Sequence, residues 1–328
     1  MPTAMTEPPI GRRGGTMPRQ GSDGYDQTWY PIVLSREVGI GQVVAREFLD
    51  GRVIVYRGES GRVAVLSAYC RHLGADLSLG TVVGDDIRCA FHHWQYGADG
   101  ACTRIPVADR VPRGVALYRF PCAEAWGLVW AFNGPEPLFD VPRFPVAIPD
   151  LVFRTVEACD LPVDPWMLLT NSVDFQHLRV LHGLRIECDP GTISFRDHSV
   201  EYDVVFEDPN LGVFEQHVKV FGTNTITLSG RMAGADLLTL FSGVPLPGGH
   251  TRGWVVTATR GGGDEAEVAT RLAAGEAFFL GLIAEDNPIM QTIHFREDVL
   301  LPADRALSRF LAYVRGYPRA HPSADFIR

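Results

Sequence analysis

Between positions 42 and 132, apolar residues fall in short runs that alternate with polar ones, and glycine-bearing turns separate the runs. Positions 42–48, 52–56 and 62–66 read as strands, and so do 104–106, 116–121 and 128–132. Ordered structure is expected from Trp29-Tyr30-Pro31 onward. The pattern predicts a small antiparallel β domain that ends near Asn133-Gly134-Pro135. Positions 134–150 then carry five prolines in seventeen residues, which predicts an extended and fairly stiff connector.

Past the connector the period changes. Asp164-Pro165 offers an N-cap and a first-turn proline to a helix running on from Trp166. Positions 192–195, 200–206, 213–221, 225–228, 237–241 and 253–259 alternate strongly and read as an antiparallel sheet. Gly261-Gly262-Gly263-Asp264 breaks that sheet. A long helical stretch follows over 265–285, with Leu272, Phe278, Phe279, Leu282 and Ile283 on its buried stripe, and 306–317 reads as a last helix. The expected organisation is a disordered tail over 1–24, a β domain over 25–135, a linker over 136–150 and a mixed domain over 151–328. The fold class is α+β. Met5 and Met17 are alternative start positions.

Composition narrows the picture a little. The 328 residues are 46% hydrophobic and 21% charged, ordinary for a globular chain with room for two domains. A net charge of −9 argues against a nucleic-acid partner. No run of eighteen apolar residues occurs, so no membrane-spanning helix is expected. The cysteines are Cys70, Cys89, Cys102, Cys122, Cys159 and Cys188. Beyond the first two they have no paired spacing, which reads as reduced thiols in a cytoplasmic protein.

The chemistry concentrates between Tyr69 and Gly100. Cys70-Arg71-His72 is followed, sixteen residues later, by Cys89-Ala90-Phe91-His92. Two loops thus each offer one thiolate and one imidazole. Such a set suits a [2Fe-2S] cluster in which histidine replaces cysteine on one iron. Zinc in a Cys₂His₂ site is the competing reading, although zinc fingers pair like with like. Phe91 and Trp94 are placed to keep water from such a cluster. A second constellation begins at Asn171: Asp174 and His177 are three apart on one helix face, and His182 lies five beyond His177. Both imidazoles meet one metal only if the helix ends between them, and Gly183 is consistent with that ending. The bland alternative is an amphipathic helix with two unrelated histidines. His198, His217 and His250 read as ordinary strand or turn residues.

Residues 65–80, with Cys89-Ala90-Phe91-His92-His93-Trp94 and Gly97-Ala98-Asp99-Gly100, resemble the Rieske domain of Rieske non-haem iron oxygenases, most of all the 3-ketosteroid 9α-hydroxylase oxygenase branch. That branch usually has proline where this chain has Ala90, and the loop here loses a φ-restricted residue. The resemblance is close over about a third of the chain. It implies an N-terminal antiparallel β Rieske domain with Cys70, His72, Cys89 and His92 on the cluster, and a C-terminal helix-grip catalytic domain.

Within the family's N-x-x-D-x-x-H-x-x-x-x-H element, which Asn171 opens, His177 and His182 would hold a mononuclear Fe(II). Asp286 would complete a 2-His-1-carboxylate triad, with Glu285 its confusable neighbour and Asp298 the outside candidate. Asp174 would bridge His177 to His92 of the next subunit in a homotrimer. The resemblance further implies O2, electrons from a separate NAD(P)H-dependent reductase or a ferredoxin, and a hydrophobic cyclic substrate, aromatic or steroid-like. Hydroxylation, cis-dihydroxylation and oxidative demethylation all remain open. The alternatives are a Rieske electron carrier without catalytic iron and a zinc-stabilised binding protein.

Overall fold

The computed structural model describes residues 17, 20–21, 24–145, 150–209, 212–232 and 234–321. Its N-terminal half is antiparallel β. Strands Val43–Phe48, Gly51–Arg57 and Val63–Ser67 pair in chain order, and Arg119–Phe120 borders the last of them. Cys122–Ala125, Leu128–Phe132 and Trp29–Leu34 form a second sheet. A third is the meander Thr81–Val83, Asp86–Arg88, Gln95–Tyr96 and Cys102–Arg104. One cysteine–histidine loop precedes this meander, and the other joins its second and third strands.

The C-terminal half is a large antiparallel sheet. Its order is Leu151–Leu161, His250–Arg260, Ala235–Leu246, Thr225–Met232, Gly212–Phe221, Ser199–Asp208 and Arg185–Glu187, and Ser194–Phe195 also pairs with Ser199–Asp208. Helices α1 (Pro165–Thr170), α2 (Phe175–Val180), α3 (Glu265–Met290) and α4 (Arg305–Gly316) complete it. Helix α3 lies close against the sheet at Gly275, where a Cβ would stand 2.4 Å from Leu237 Cδ1. Leu272 is buried, whereas Phe278, Phe279, Leu282 and Ile283 are half-buried along a cavity. The expected stripe therefore lines a cavity instead of filling a core.

The two halves share one core. Val33, Trp130 and Phe132 pack in the same buried cluster as Leu238, Leu240, Trp254 and Val256 of the large sheet. Each such side chain contributes roughly 1.5–3 kcal/mol on burial. Ahead of the first domain, Tyr25–Asp26 pairs with Arg319–Ala320 at the other end of the chain. Thr28 Oγ1 donates to Asn224 Oδ1 at 2.9 Å, and Asn224 Nδ2 donates to the Trp29 carbonyl at 2.9 Å. The first residues of the expected β domain are thus knitted into the second.

Several expectations need revision. The stretch from Trp166 to Gly183 is two short helices, because Asn171 closes α1 and Asp174 starts α2. Leu151–Leu161 is a strand that the pattern did not announce. It sits at a sheet edge, where its alternation is diluted by exposed residues. The connector expected to be extended and stiff is also packed down: Val141 and Phe144 are buried, and the indoles of Trp29 and Trp126 donate to the carbonyls of Phe139 and Pro142. Residues 146–149 and most of the expected disordered tail lie outside the described residues. Within that tail Met17 is buried and Gln20 donates to Asp26 at 2.8 Å. No helix among the described residues is long and apolar enough to cross a membrane.

Candidate metal centres

Two tight turns present the N-terminal donors. In the first, the Cys70 N–H donates to the Ala75 carbonyl and the Gly74 N–H to the Cys70 carbonyl, both at 2.9 Å. In the second, the Cys89 N–H donates to the Trp94 carbonyl at 2.8 Å, and His93 adopts a left-handed conformation with φ +58°. Gly80 lets the two approach, since a Cβ there would stand 2.4 Å from the Arg88 carbonyl oxygen. Cys70 and Cys89 are buried, whereas His72 and His92 are exposed, with their Nδ1 atoms 3.2 Å apart. Sulfur donors lie inward and imidazoles outward.

The sulfurs already have donors nearby. The Phe91 N–H points at Cys89 Sγ at 3.5 Å. The Tyr96 hydroxyl lies 3.2 Å from Cys70 Sγ and accepts from the Arg71 N–H at 3.1 Å. Burial pushes the Cys70 thiol up, against the hydrogen bonds from Tyr96 and the His72 N–H. A bound iron would reverse that balance by holding the thiolate. Trp94 stacks on His72 with centroids 4.7 Å apart, as expected of a shield. Phe91 lies 3.9 Å from the His92 ring centroid but is itself 63% exposed, so it covers the histidine from the solvent side.

The second centre is interior. Helix α2 ends at Val180, and Gly183 takes φ +68°, so the chain turns back and brings the imidazoles together. His177 Nε2 and His182 Nε2 are 2.9 Å apart, and Asp286 Oδ1 is 3.2 Å from each. Neither approach to Oδ1 has hydrogen-bond alignment, and this buried oxygen has no other partner among the described residues. Three donor atoms facing one point, with a carboxylate oxygen left over, fit a metal ion better than mutual hydrogen bonds.

The surroundings hold the ligands in place. Asn171 Nδ2 donates to Asp286 Oδ2 at 2.9 Å, leaving Oδ1 to the centre. His182 Nδ1 meets Glu285 Oε2 at 2.7 Å, which keeps the proton on Nδ1 and frees the Nε2 lone pair. Burial lowers the pKa of His177 despite the pull of Asp286. For His182 burial acts downward too, but the neighbouring carboxylates of Asp286 and Glu285 outweigh it and raise the pKa. Glu285 is thus a neighbour of the centre and not a donor at its face. Asp298 is exposed, in the segment after α3, and is not in the cluster. Asp174 caps α2 by accepting from the His177 backbone N–H at 3.0 Å. His217 and His250 pair with Asp203 and Asp160 away from both centres.

Sequence reasoning missed several partners. Tyr96 follows the second motif by only a few residues, and a hydroxyl within reach of a ligand sulfur was its available signal. The bonds of Asn171 to Asp286 and of Glu285 to His182 cross 115 and 103 residues, and no local pattern announces them.

Residues 28–119 match the Rieske [2Fe-2S] domain. The chain carries a Rieske domain over those residues. It is 32% identical to cholesterol 7-desaturase nvd of Bombyx mori over 171 residues, which are 51% of this chain and 38% of that protein. It is 37% identical to the 3-ketosteroid-9-alpha-monooxygenase oxygenase component of Rhodococcus rhodochrous over 123 residues, 38% of this chain and 32% of that one. The matches therefore span about a third of the length of these relatives. Among solved structures, Pseudomonas putida CBB5 NdmA with caffeine superposes with a TM-score of 0.68 at 21% identity, covering 88% of this chain and 90% of that one. Dicamba monooxygenase bound to dicamba gives 0.66 at 20% identity, covering 88% and 96%. Both likenesses extend the shared architecture well beyond the Rieske domain.

The four loop donors fit the cluster that a Rieske domain carries. Cys70 and Cys89 would supply its thiolates, and His72 and His92 its imidazoles. The triad of His177, His182 and Asp286 fits a mononuclear iron, a 2-His-1-carboxylate set with coordination positions to spare.

Proposed function

We propose that this chain is the terminal oxygenase component of a Rieske-type oxygenase, acting with O2 and a separate reductase or ferredoxin on a hydrophobic cyclic substrate. One observation carries the reading: the triad opens onto an apolar cavity of about 150 Å³ whose walls include Leu161, Leu168, Phe206, Phe214, Phe241 and Leu282. A metal-binding triad at the end of an apolar cavity is what oxidation of an apolar molecule needs. When bound, the cluster supplies single electrons and the iron supplies dioxygen chemistry. The protein's share is to hold the triad, exclude water and orient the ring. Steroid-acting names among the relatives, and caffeine and dicamba among the structural neighbours, support a cyclic substrate.

The assembly is part of this proposal. His72 and His92 stand exposed among the exposed apolar residues Leu73, Leu79 and Phe91, a rim suited to cover by another copy or an electron donor. In a homotrimer, Asp174 of one subunit would accept from His92 of the next while it caps α2. Six unpaired cysteines suit a reducing compartment such as the cytoplasm.

The test is a single turnover. Chemically reduced protein is mixed with ¹⁸O₂ and small steroid or aromatic ring compounds, and products are read by mass spectrometry. Label in a hydroxylated product, or in the aldehyde lost on demethylation, supports the oxygenase. A protein that reoxidises without labelling any product, and retains no iron at the triad, is the electron carrier instead.

A further inference from the structure

The cavity's polar groups can be accounted for one by one. Asn171 holds Asp286, the Ser172 hydroxyl donates to the Leu169 carbonyl at 2.7 Å, and the Tyr202 hydroxyl donates to the Ser172 carbonyl. Cys159 is a neutral thiol, pushed up to about 12 by burial and neighbouring carboxylates. Gln216 and Thr239 remain. They are 7% and 6% exposed and line the cavity, and no side-chain hydrogen bond is formed by either among the described residues. An amide that faces an apolar cavity without a protein partner is free to bond a ligand group there.

The sheet register explains how Gln216 reaches the cavity floor. Gln216 pairs with Gly230, and Gly230 with Leu237, so the three sit in one row across neighbouring strands. Gly230 has no side chain, and Gln216 lies over it, with Nε2 3.0 Å from where a Cβ would be. That Cβ would also stand 1.8 Å from the Glu215 carbonyl oxygen, so the gap is built into the backbone. Thr239 stands two residues beyond Leu237 on the same face, in register with Leu228.

Charge selects further. Among the described residues no Lys or Arg lines the cavity, and its one carboxylate is Asp286. Away from the triad and its iron, an anionic group would lose its hydration with no cationic side chain to replace it.

We propose that the substrate is a compact, neutral ring compound carrying one hydrogen-bonding group, such as a carbonyl or amide, and that Gln216 with Thr239 binds that group. This rests on the oxygenase reading for the word substrate, but the ligand site can be tested without turnover. Calorimetric titration of the iron-loaded protein would use acetophenone, ethylbenzene and benzoate as shape-matched probes. Acetophenone should bind about tenfold tighter than ethylbenzene, and benzoate more weakly than either. Gln216→Leu should bring acetophenone down to the ethylbenzene level and leave ethylbenzene unchanged. Thr239→Val should lower the acetophenone preference several-fold, and it keeps the test open if Gln216→Leu unfolds.

Benzoate binding as tightly as acetophenone, a preference that survives both variants, or no binding of either neutral probe would overturn the proposal. Iron content is measured on the same samples. A Gln216-dependent preference in protein that holds no triad iron supports the ligand site and sinks the oxygenase.

Discussion

The two centres are built in opposite ways. The cluster donors come from two tight turns within one stretch of the chain, and their histidines stand at the surface. The triad donors come from α2, from the turn after it and from the distant α3, and they face inward. The first arrangement leaves an exposed edge where electrons can enter. The second puts its donors beside an apolar cavity. A local scaffold suits the centre that must be reached, and a global one suits the centre that must be enclosed.

The sharpest way to break this contrast is to remove one donor from each centre. Cys89→Ser should abolish the cluster, with its visible absorption lost, while the triad keeps about one iron per chain. Asp286→Ala should weaken triad iron by more than about a hundredfold and leave the cluster spectrum unchanged. Loss of both centres from either change would show that they are not independently built.

Smaller effects probe the supporting groups. Glu285→Ala should weaken triad iron by about tenfold, measured by competition with a chelator, because His182 loses the carboxylate that orients it. The pH dependence follows with a definite sign. Iron needs His182 neutral at Nε2, and Asp286 and Glu285 raise its pKa against burial. Triad iron should therefore bind more weakly as pH falls into the range where His182 protonates, a range that Asp286 and Glu285 set higher than for an ordinary histidine. In metal-free protein the same group acts oppositely: its charged form adds stability below about pH 6.5, and that contribution is lost as pH rises. Lowest in size, Tyr96→Phe should lower the cluster potential by tens of millivolts, read by redox titration, without touching triad iron.

The same contrast explains what could be read from the chain alone. Cys70, His72, Cys89 and His92 were legible because their spacing is local. The turn after α2 was legible in outline, since His177 and His182 could meet only if the helix stopped. Asp286 was reached through resemblance, because no spacing links it to the histidines. Gln216, Thr239 and the role of Gly230 depend on strand register, which alternation alone does not determine. The strand Leu151–Leu161 and the packed connector were hidden for a similar reason: both are defined by what the other half of the chain lays against them.

The most direct test of two independent centres in one chain is metal and acid-labile sulfide analysis of anaerobically purified protein, with an EPR spectrum after dithionite reduction. The account predicts about three irons and about two sulfides per chain, with a Rieske-type signal. About two irons with about two sulfides, and no further iron held after ferrous reconstitution, would contradict the triad and with it the oxygenase.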